Sequence, residues 1–173
     1  MEIRPYRHDA LHDDRAAVVS LWQACGLTRP WNDPNRDIDR KLALDDGLLL
    51  VGIEDNDVIA TAMVGYDGHR GWVNYLAVAP SCQGRGFGRM LMEAAEQRLL
   101  ALGCPKLNLQ VRGGNEPVLA FYSALGYTVD DAVSLGKRLI SDEIPVDESH
   151  AGITVEALEQ DAADLPPDPR RGA

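Results

Sequence analysis

The residues whose spacing most clearly suggests chemistry are three glycines within five positions, in the run 83–88. They lie between an apolar, strand-like stretch and an amphipathic helix. Glycine turns the backbone without a Cβ penalty and lets a ligand approach the main chain, which leaves N–H groups free to point at phosphate oxygens. The N-terminus of the following helix adds unpaired donors and the positive end of its dipole. The run therefore predicts an anion-binding loop.

Two common glycine-rich nucleotide motifs do not match this run. No Gly-Lys-Ser/Thr follows it, which argues against a nucleotide P-loop. Its third glycine, Gly88, falls one residue early for a dinucleotide-binding fingerprint, and the run follows antiparallel strands rather than opening a βαβ unit.

Hydrophobic periodicity predicts the elements that must position the loop. Predicted strands cover 2–7, 48–53, 58–66, 72–79 and 106–111, with one or two closing strands in 127–139, and predicted helices cover 16–24, 38–42, 87–102 and 115–125. Either Asp33 or Asn35 is expected to cap the second helix and Asn115 the last one. This order, β-α-α-β-β-β-α-β-α-β, predicts an α/β fold with a central mixed, mostly antiparallel sheet flanked by about four helices.

Charge divides the chain into two parts. Residues 1–140 hold 15 Lys/Arg and 18 Asp/Glu, whereas residues 141–173 hold two and nine. The first part is predicted to form one domain, and the second an acidic, Pro-containing tail that is flexible or weakly docked. The absence of a basic cluster predicts no nucleic-acid partner.

Other compositional features also limit the function. No apolar segment reaches the roughly 20 residues of a membrane span, which predicts no membrane partner. Residues 1–7 lack the apolar core of a signal peptide, which predicts a cytoplasmic location. Three cysteines without Cys-x-x-Cys spacing or a histidine cluster predict neither a disulfide framework nor a metal site.

The pattern Gln83-x-x-Gly86-x-Gly88 resembles the Gln/Arg-x-x-Gly-x-Gly/Ala signature of the GNAT family of N-acetyltransferases, whose element order is similar over residues 1–140. Residues 75–80 resemble the strand that precedes that loop in the family. Asn115 stands where the family has an Asn that opens the next helix. The pattern Phe121-Tyr122-x-x-x-Gly126-Tyr127 resembles the family's "FY...LGF/Y" ending. Segments 29–34, 65–71 and 134–139 resemble the small bacterial acetyltransferases of the YpeA type.

The resemblance implies acetyl-CoA as the donor co-substrate, with its diphosphate on the loop and its pantetheine chain along the preceding strand. The implied slot lies between 72–79 and 106–111. A pantetheine chain carries amides that can pair with a strand edge, and a diphosphate suits a helix N-terminus. The implied donor-binding residues are Leu76, Ala77, Val78, Gln83, Gly84, Arg85, Gly86, Phe87, Gly88, Arg89 and Asn115.

The implied reaction is transfer of the acetyl group to a primary amine of a small molecule or peptide, by direct attack in a ternary complex. It requires a neutral amine, a polarised thioester carbonyl and a proton for the leaving thiolate. Tyr122 matches the family tyrosine beside the CoA sulfur and is predicted to be the general acid, while a backbone N–H near Val78 is predicted to stabilise the oxyanion. The alternative is that Tyr122, at helical spacing with Leu119 and Leu125, only packs.

The general base is not evident. Gln110 stands where relatives that acetylate protein N-termini often carry Glu, and an amide cannot accept a proton at neutral pH. This departure puts a protein N-terminal substrate in doubt. The alternatives are Asp67, His69, Tyr75, Glu116 or a chain of waters.

The acceptor amine is left open. Arg29, Trp31 and Asn32 belong to the loop between the first two helices, which flanks the acceptor site in this family. Trp31 either lines a pocket or plugs the core, and Arg29 is a candidate to bind a substrate carboxylate. Two alternative functions also remain: an acyl-CoA-binding regulatory module without efficient catalysis, and an interaction protein that works through the tail. Dimers are common among the relatives, so a homodimer is open as well.

Overall fold

A computed structural model describes residues 1–142, so most of the predicted tail, residues 143–173, lies outside the described residues. The strands are β1 (Glu2–Pro5), β2 (Leu49–Glu54), β3 (Asp57–Tyr66), β4 (Gly71–Val78) and β5 (Leu107–Leu109). The helices are α1 (Arg15–Ala24), α2 (Pro34–Leu42), α3 (Phe87–Ala101) and α4 (Glu116–Ala124), with a 3-10 turn at Pro80–Cys82. None of these helices combines the length and apolar character that a membrane span requires.

The strands form one sheet in the order β1-β2-β3-β4-β5. β1 to β4 pair antiparallel with their neighbours, and β5 pairs parallel to β4. The parallel pair follows from α3, which carries the chain from the end of β4 back to the start of β5. The predicted mixed, mostly antiparallel sheet with four helices is confirmed.

Helices cover both faces of the sheet, and each face has its own apolar cluster. In β2, Leu50 belongs to the cluster under α3 and α4, while Leu49 and Val51 belong to the cluster under α1 and α2. All three are at most 3% exposed. The continuous apolar run of β2 is therefore the consequence of burial on two sides.

The two predicted caps behave differently. Asp33 caps α2, because its Oδ1 accepts a hydrogen bond of 2.8 Å from the N–H of Asn35. Asn115 stands at the N-cap position of α4, but its side chain makes no capping bond. The first turn of α4 instead contains a proline, whose missing N–H and fixed φ suit that position.

The closing strands predicted in 127–139 are wrong. Residues 127–142, here called the C-terminal strap, contain no strand. The alternating apolar pattern is present, but no residue of the strap pairs with the open edge of β5 or with another strand among residues 1–142. Side-chain bonds hold it in place instead, and at its end Asp142 is bound by Arg40 and Arg36 of α2 and by the N–H of Asp33.

Candidate active site

A slot opens in the sheet between β4 and β5. Their pairing runs from Gly71 opposite Leu107 to Val73 opposite Leu109 and stops there, although β4 continues to Val78. Five residues of β4, about 16 Å of strand, therefore have no partner on this edge within the described chain. The slot lies in the predicted place, between the segments 72–79 and 106–111.

A β-bulge in β4 turns the strand toward the slot. Asn74 faces Met63 on β3 and Ala77 faces Thr61, so one extra residue lies on the β4 side. Tyr75 takes up the irregularity with a φ of 50°, which is unusual for a residue with a side chain. Because of the extra residue, Leu76 and Val78 pack with the α3/α4 cluster, and Tyr75 packs with the cluster on the other face.

Buried contacts on the α1/α2 face hold the bulge. The ring of Trp22 stacks on Tyr75 with centroids 3.9 Å apart, and its Nε1 donates to Thr61 Oγ1 at 2.9 Å. Thr61 Oγ1 donates in turn to the carbonyl of Tyr75. The hydroxyl of Tyr75 donates to Asp37 Oδ2 on α2 at 2.7 Å. Burial and this bond raise the pKa of Tyr75 to about 12, so it is not a base at neutral pH.

The three glycines of the loop serve two purposes. Gly84 and Gly86 have φ values of 76° and 82°, and a Cβ on either would meet nothing within 4 Å. Glycine is therefore required at these two positions for its backbone conformation. A Cβ on Gly88 would lie 3.2 Å from Cζ of Phe121, so its need is close packing against α4. The first two glycines therefore allow the backbone to turn, and the third allows α3 to pack closely against α4.

The loop and the end of β4 present backbone donors. The first bond within α3 runs from Met90 N to Gly86 O, which leaves the N–H groups of Phe87, Gly88 and Arg89 without intrahelical acceptors. Gly86, the N-cap residue, supplies no side-chain acceptor. The dipole of this 15-residue helix favours an anion at the same place.

Gln83 joins the loop to the strand. Its Nε2 donates to the carbonyl of Val78 at 3.1 Å, and Cys25 Sγ contacts the same oxygen at 3.3 Å. The next N–H, of Ala79, donates to Ile59 on β3. Since backbone groups alternate along a strand, the N–H of Val78 points away from β3, as the predicted oxyanion donor must.

The two arginines of the loop differ in their partners. Arg85 binds Glu54 with two bonds of 2.7 and 2.9 Å, and its guanidinium lies over the ring of Phe87. Arg89 makes one long bond, 3.5 Å, to the carbonyl of Ala124 at the end of α4, and it has no carboxylate partner among residues 1–142. Arg89 therefore brings an uncompensated charge to the helix N-terminus.

Tyr122 lies in the apolar cluster that also contains Leu76 and Val78 from one wall of the slot and Leu109 from the other. It is 9% exposed, and its hydroxyl makes no hydrogen bond to residues 1–142. No fully buried side-chain oxygen in this part of the chain lacks a partner, so solvent reaches this hydroxyl. Burial raises the pKa of Tyr122 to about 12, and the phenol therefore keeps its proton at neutral pH.

The candidate bases lie apart from one another. Asp67 and His69 occupy the β3–β4 turn at the closed end of the slot, about 13 Å along the strand from the bulge at Tyr75. The N–H groups of Arg70 and His69 donate to Asp67 and lower its pKa to about 2. Gln110 donates to Ser134 of the strap, and Glu116 lies exposed in the first turn of α4.

The loop between α1 and α2 meets the strap. Arg138 donates to the carbonyl of Trp31 and to Asn32 Oδ1, both at 3.0 Å. Trp31 is 43% exposed, so the alternative that it plugs the core is wrong. Arg29 binds only the carbonyls of Gly26 and Thr28 and carries no ion pair in the described chain.

An open cavity of about 670 Å³ lies between α2 and the strap. Its lining mixes polar and apolar residues and includes both signs of charge. The lining residues are Asn32, Asp37, Arg40, Gly136, Lys137, Arg138, Leu139 and Ile140. Asp37 connects this cavity to the bulge through Tyr75. Sequence reasoning missed Asp37, because nothing in its local pattern predicts a partner 38 residues away.

The fold agrees with comparisons to known proteins. The model of the acetyltransferase (GNAT) family matches residues 15–127, and the chain belongs to this family. Acetyltransferase SG1711 of Sodalis glossinidius is 49% identical over 144 residues, which is 83% of this chain and 99% of that protein. Acetyltransferase ECA0875 of Pectobacterium atrosepticum is 47% identical over 142 residues, which is 82% of this chain and 98% of that protein.

Solved structures give the same fold at low sequence identity. An acetyltransferase from Streptococcus agalactiae superposes with a TM-score of 0.61 at 15% identity and covers 80% of this chain and 91% of its own. The aminoglycoside acetyltransferase meta-AAC0020, from an uncultured soil metagenomic sample, gives 0.62 at 20% identity and covers 80% and 95%. The predicted GNAT fold and acyltransferase class are confirmed, while the YpeA-type subgroup stays a prediction.

Proposed function

We propose that this protein transfers the acetyl group of acetyl-CoA to a primary amine of a small molecule or peptide, by direct attack in a ternary complex. The observation that carries the proposal is the hydroxyl of Tyr122, which has no protein partner within residues 1–142 and lies in the cluster that lines both walls of the slot. Solvent reaches this hydroxyl and no protein group within residues 1–142 competes for it, so it is available to a ligand in the slot.

The chain's own groups fit the donor. The backbone N–H groups of 83–89 would bind the diphosphate, with the charge of Arg89 beside them. The edge of β4 at 76–78 would pair with the amides of the pantetheine chain, as an added strand does. Phe121 packs against Gly88 and leaves no room there for a side chain. The loop would therefore contact the ligand through its backbone. Asn115, whose side chain makes no bond in the described chain, stands at the N-terminus of α4 and is a further donor-binding candidate.

In the proposed reaction the amine nitrogen forms a bond to the acetyl carbon, and the carbon–sulfur bond breaks. The N–H of Val78 donates to the carbonyl oxygen as negative charge develops on it. Tyr122 gives its proton to the leaving sulfur and recovers one from solvent. A pKa of about 12 keeps that proton in place until the sulfur becomes basic.

We propose that solvent water accepts the proton of the attacking amine. Asp67 and His69 lie at the closed end of the slot, and Tyr75 is protonated and bound to Asp37. The position of Gln110 supplies no base. Glu116→Gln should therefore leave the pH profile of kcat/KM unchanged, and loss of its acidic limb would make Glu116 the base.

We place the acceptor in the cavity between α2 and the strap. Its volume falls in the range typical of small-molecule sites. Arg138 binds only neutral oxygens there, so its charge is available to an anionic group on the acceptor. Arg138→Met should then raise KM for such an acceptor by a larger factor than it lowers kcat. A charge remote from the reacting atoms contributes equally to binding of the substrate and of the transition state.

The decisive experiment follows thiol release from acetyl-CoA with a panel of amines. Tyr122→Phe should lower kcat at least about tenfold with little change in acetyl-CoA affinity, as expected for loss of a general acid. The matched control is Tyr127→Phe, which removes a hydroxyl bound to Glu96 in the same aromatic cluster and should keep activity. An unchanged rate in Tyr122→Phe would remove that residue from the mechanism. Acetyl-CoA binding without turnover of any amine would instead favour the regulatory binding module.

A further inference from the structure

The middle of the C-terminal strap forms one wall of the cavity assigned to the acceptor. Residues 136–140, here called the strap wall, line that cavity together with Asn32, Asp37 and Arg40. Residues 128–141 are all exposed, so none of them is a buried apolar anchor. An ordered segment without such an anchor needs other contacts to offset the conformational entropy that it loses. The shape of the cavity therefore depends on the contacts that hold the strap.

Polar side chains hold the strap wall at both ends and in its middle. Ser134, two residues before the wall begins, accepts a hydrogen bond from Gln110. Arg138, within the wall, binds only neutral oxygens in the described chain. Asp142, two residues after the wall ends, binds the arginines of α2. Of these three side chains, Asp142 is the one that forms ion pairs within residues 1–142.

The contact at Asp142 is enclosed and multiply bonded. Its side chain is 2% exposed. Arg40 binds both carboxylate oxygens, at 2.6 and 3.0 Å, and Arg36 lies 3.5 Å from one of them. The N–H of Asp33, at the start of α2, donates to the carboxylate at 3.1 Å. Because bidentate, charge-assisted bonds are stronger than neutral ones, Asp142 holds the wall more firmly than Arg138 does.

Arg40 also connects this contact to the bulge of β4. Its Nη1 donates to Asp142 and, at 2.9 Å, to Oδ1 of Asp37. Asp37 accepts in turn from the hydroxyl of Tyr75, the bulged residue. One guanidinium thus links the strap wall to the strand that faces the slot.

We propose that Asp142 is a positioning residue for the acceptor, because its bonds to α2 hold the strap wall in place. This role rests on the proposed function, in which the acceptor binds in that cavity. Without the charge of Asp142 the wall becomes mobile, and acceptor binding must then supply the cost of ordering it. The wall lies away from the reacting atoms, so the substrate and the transition state lose the same binding energy. Loss of Asp142 therefore weakens acceptor binding and leaves the chemical step intact.

Steady-state kinetics at saturating acetyl-CoA test the proposal, with the panel amine that wild type acetylates at the highest kcat/KM. Asp142→Asn should raise KM for this amine about tenfold and lower kcat less than about twofold, with acetyl-CoA affinity unchanged. Asp142→Glu keeps the charge and should stay within about threefold of the wild-type KM. Arg36→Met removes a partner of Asp142 from outside the cavity lining and should raise KM about threefold.

Asp130→Asn is the matched control. Asp130 pairs with Lys106 near the start of the same strap, and neither residue lines the cavity. This variant should therefore keep the wild-type KM, and melting temperatures show that both Asn variants fold. An equal rise of KM in Asp130→Asn and Asp142→Asn would mean that any loosening of the strap has the same effect, which would overturn the specific role of Asp142.

The possible outcomes separate this role from the proposed function. Acetylation of the amine with an unchanged KM in Asp142→Asn would remove the positioning role and leave the function in place. A fall in kcat at constant KM would also overturn the proposal, because it would assign Asp142 to the chemical step. A wild-type protein that acetylates no amine of the panel would remove both the function and the role.

Discussion

The hydroxyl of Thr61 donates a hydrogen bond of 3.0 Å to the carbonyl oxygen of Tyr75, the bulged residue of β4. Thr61 is fully buried and accepts at the same oxygen from Trp22, which is fully buried as well, so one hydroxyl serves two groups. This bond connects the α1/α2 core to the strand segment that faces the slot.

Thr61→Val should test that connection. The change keeps the shape of the side chain but leaves the indole N–H of Trp22 without an acceptor, and we expect a loss of about 1–3 kcal/mol in the free energy of unfolding. Acetyl-CoA affinity should fall as well, because the 76–78 edge depends on the bulge. Chemical denaturation and calorimetric titration measure the two effects. Thr61→Ser keeps the hydroxyl and should retain most of the stability and most of the acetyl-CoA affinity. Equal losses in Thr61→Ser and Thr61→Val would mean that the shape of the threonine side chain matters instead of its hydroxyl.

Much of this fold could be predicted because its signals are local. Apolar burial on both sides of β2 and the helix that begins at Phe87 follow from periodicity, and the slot lies where the family resemblance implies. The strap could not be predicted, since alternation at Val129 and Val133 indicates a strand but does not report whether backbone pairing forms. The bulge at Tyr75 was also missed, because the hydroxyl that binds its carbonyl lies 14 residues away in the sequence.

Gly88→Ala should weaken donor binding by displacing α3. The new Cβ would lie 3.2 Å from Cζ of Phe121, and the ring or the helix must move. We expect acetyl-CoA affinity to fall about tenfold, a free-energy change of about 1.4 kcal/mol. Gly113→Ala is the matched control, since a Cβ there meets nothing within 4 Å and its φ is not positive. Isothermal titration compares the two, and equal affinities would contradict the packing role of Gly88.

Arg89→Met should weaken acetyl-CoA binding about tenfold, and the loss should shrink at high salt because the interaction is with a charged diphosphate. Arg85→Met should cost less than about threefold, because Glu54 already binds that guanidinium. Titrations at two salt concentrations give both numbers. The reverse ranking would assign the diphosphate contact to the side chain of Arg85.

Stability should fall steeply in alkali. Burial raises the pKa values of Tyr122 and Tyr75 to about 12, and those of Tyr6 and Tyr127 are raised as well. Unfolded tyrosines lose their protons near pH 10, so these groups stabilise the fold fully below that pH and progressively less as pH rises toward 12. Urea unfolding between pH 9 and pH 12 should follow this decline. In Tyr122→Phe the free energy of unfolding should decline less between these pH values than in wild type. A decline parallel to that of wild type would mean that the pKa of Tyr122 is not raised by folding.

Acid should release the end of the strap. The bond to Arg40, followed by those to Asp33 N and the charge of Arg36, holds the pKa of Asp142 well below its usual range. That stabilisation is present above the unfolded pKa of about 4 and is lost as pH falls below it. Backbone order parameters measured by NMR relaxation should therefore fall in residues 136–142 at low pH. Asp142→Asn should give low order parameters there already at pH 7, and wild-type values in that variant would show that the charge is dispensable.

The sheet keeps the two apolar clusters apart, with α3 and α4 on one face and α1 and α2 on the other. The loop and helix assigned to the donor thus draw their support from one core, and the cavity assigned to the acceptor draws on the other together with the strap. Substitutions on the α1/α2 side that spare Trp22, Thr61 and Tyr75 can accumulate without repacking the first core. Such a chain can change its acceptor preference over evolutionary time, or under laboratory selection, while it continues to use the same acyl donor.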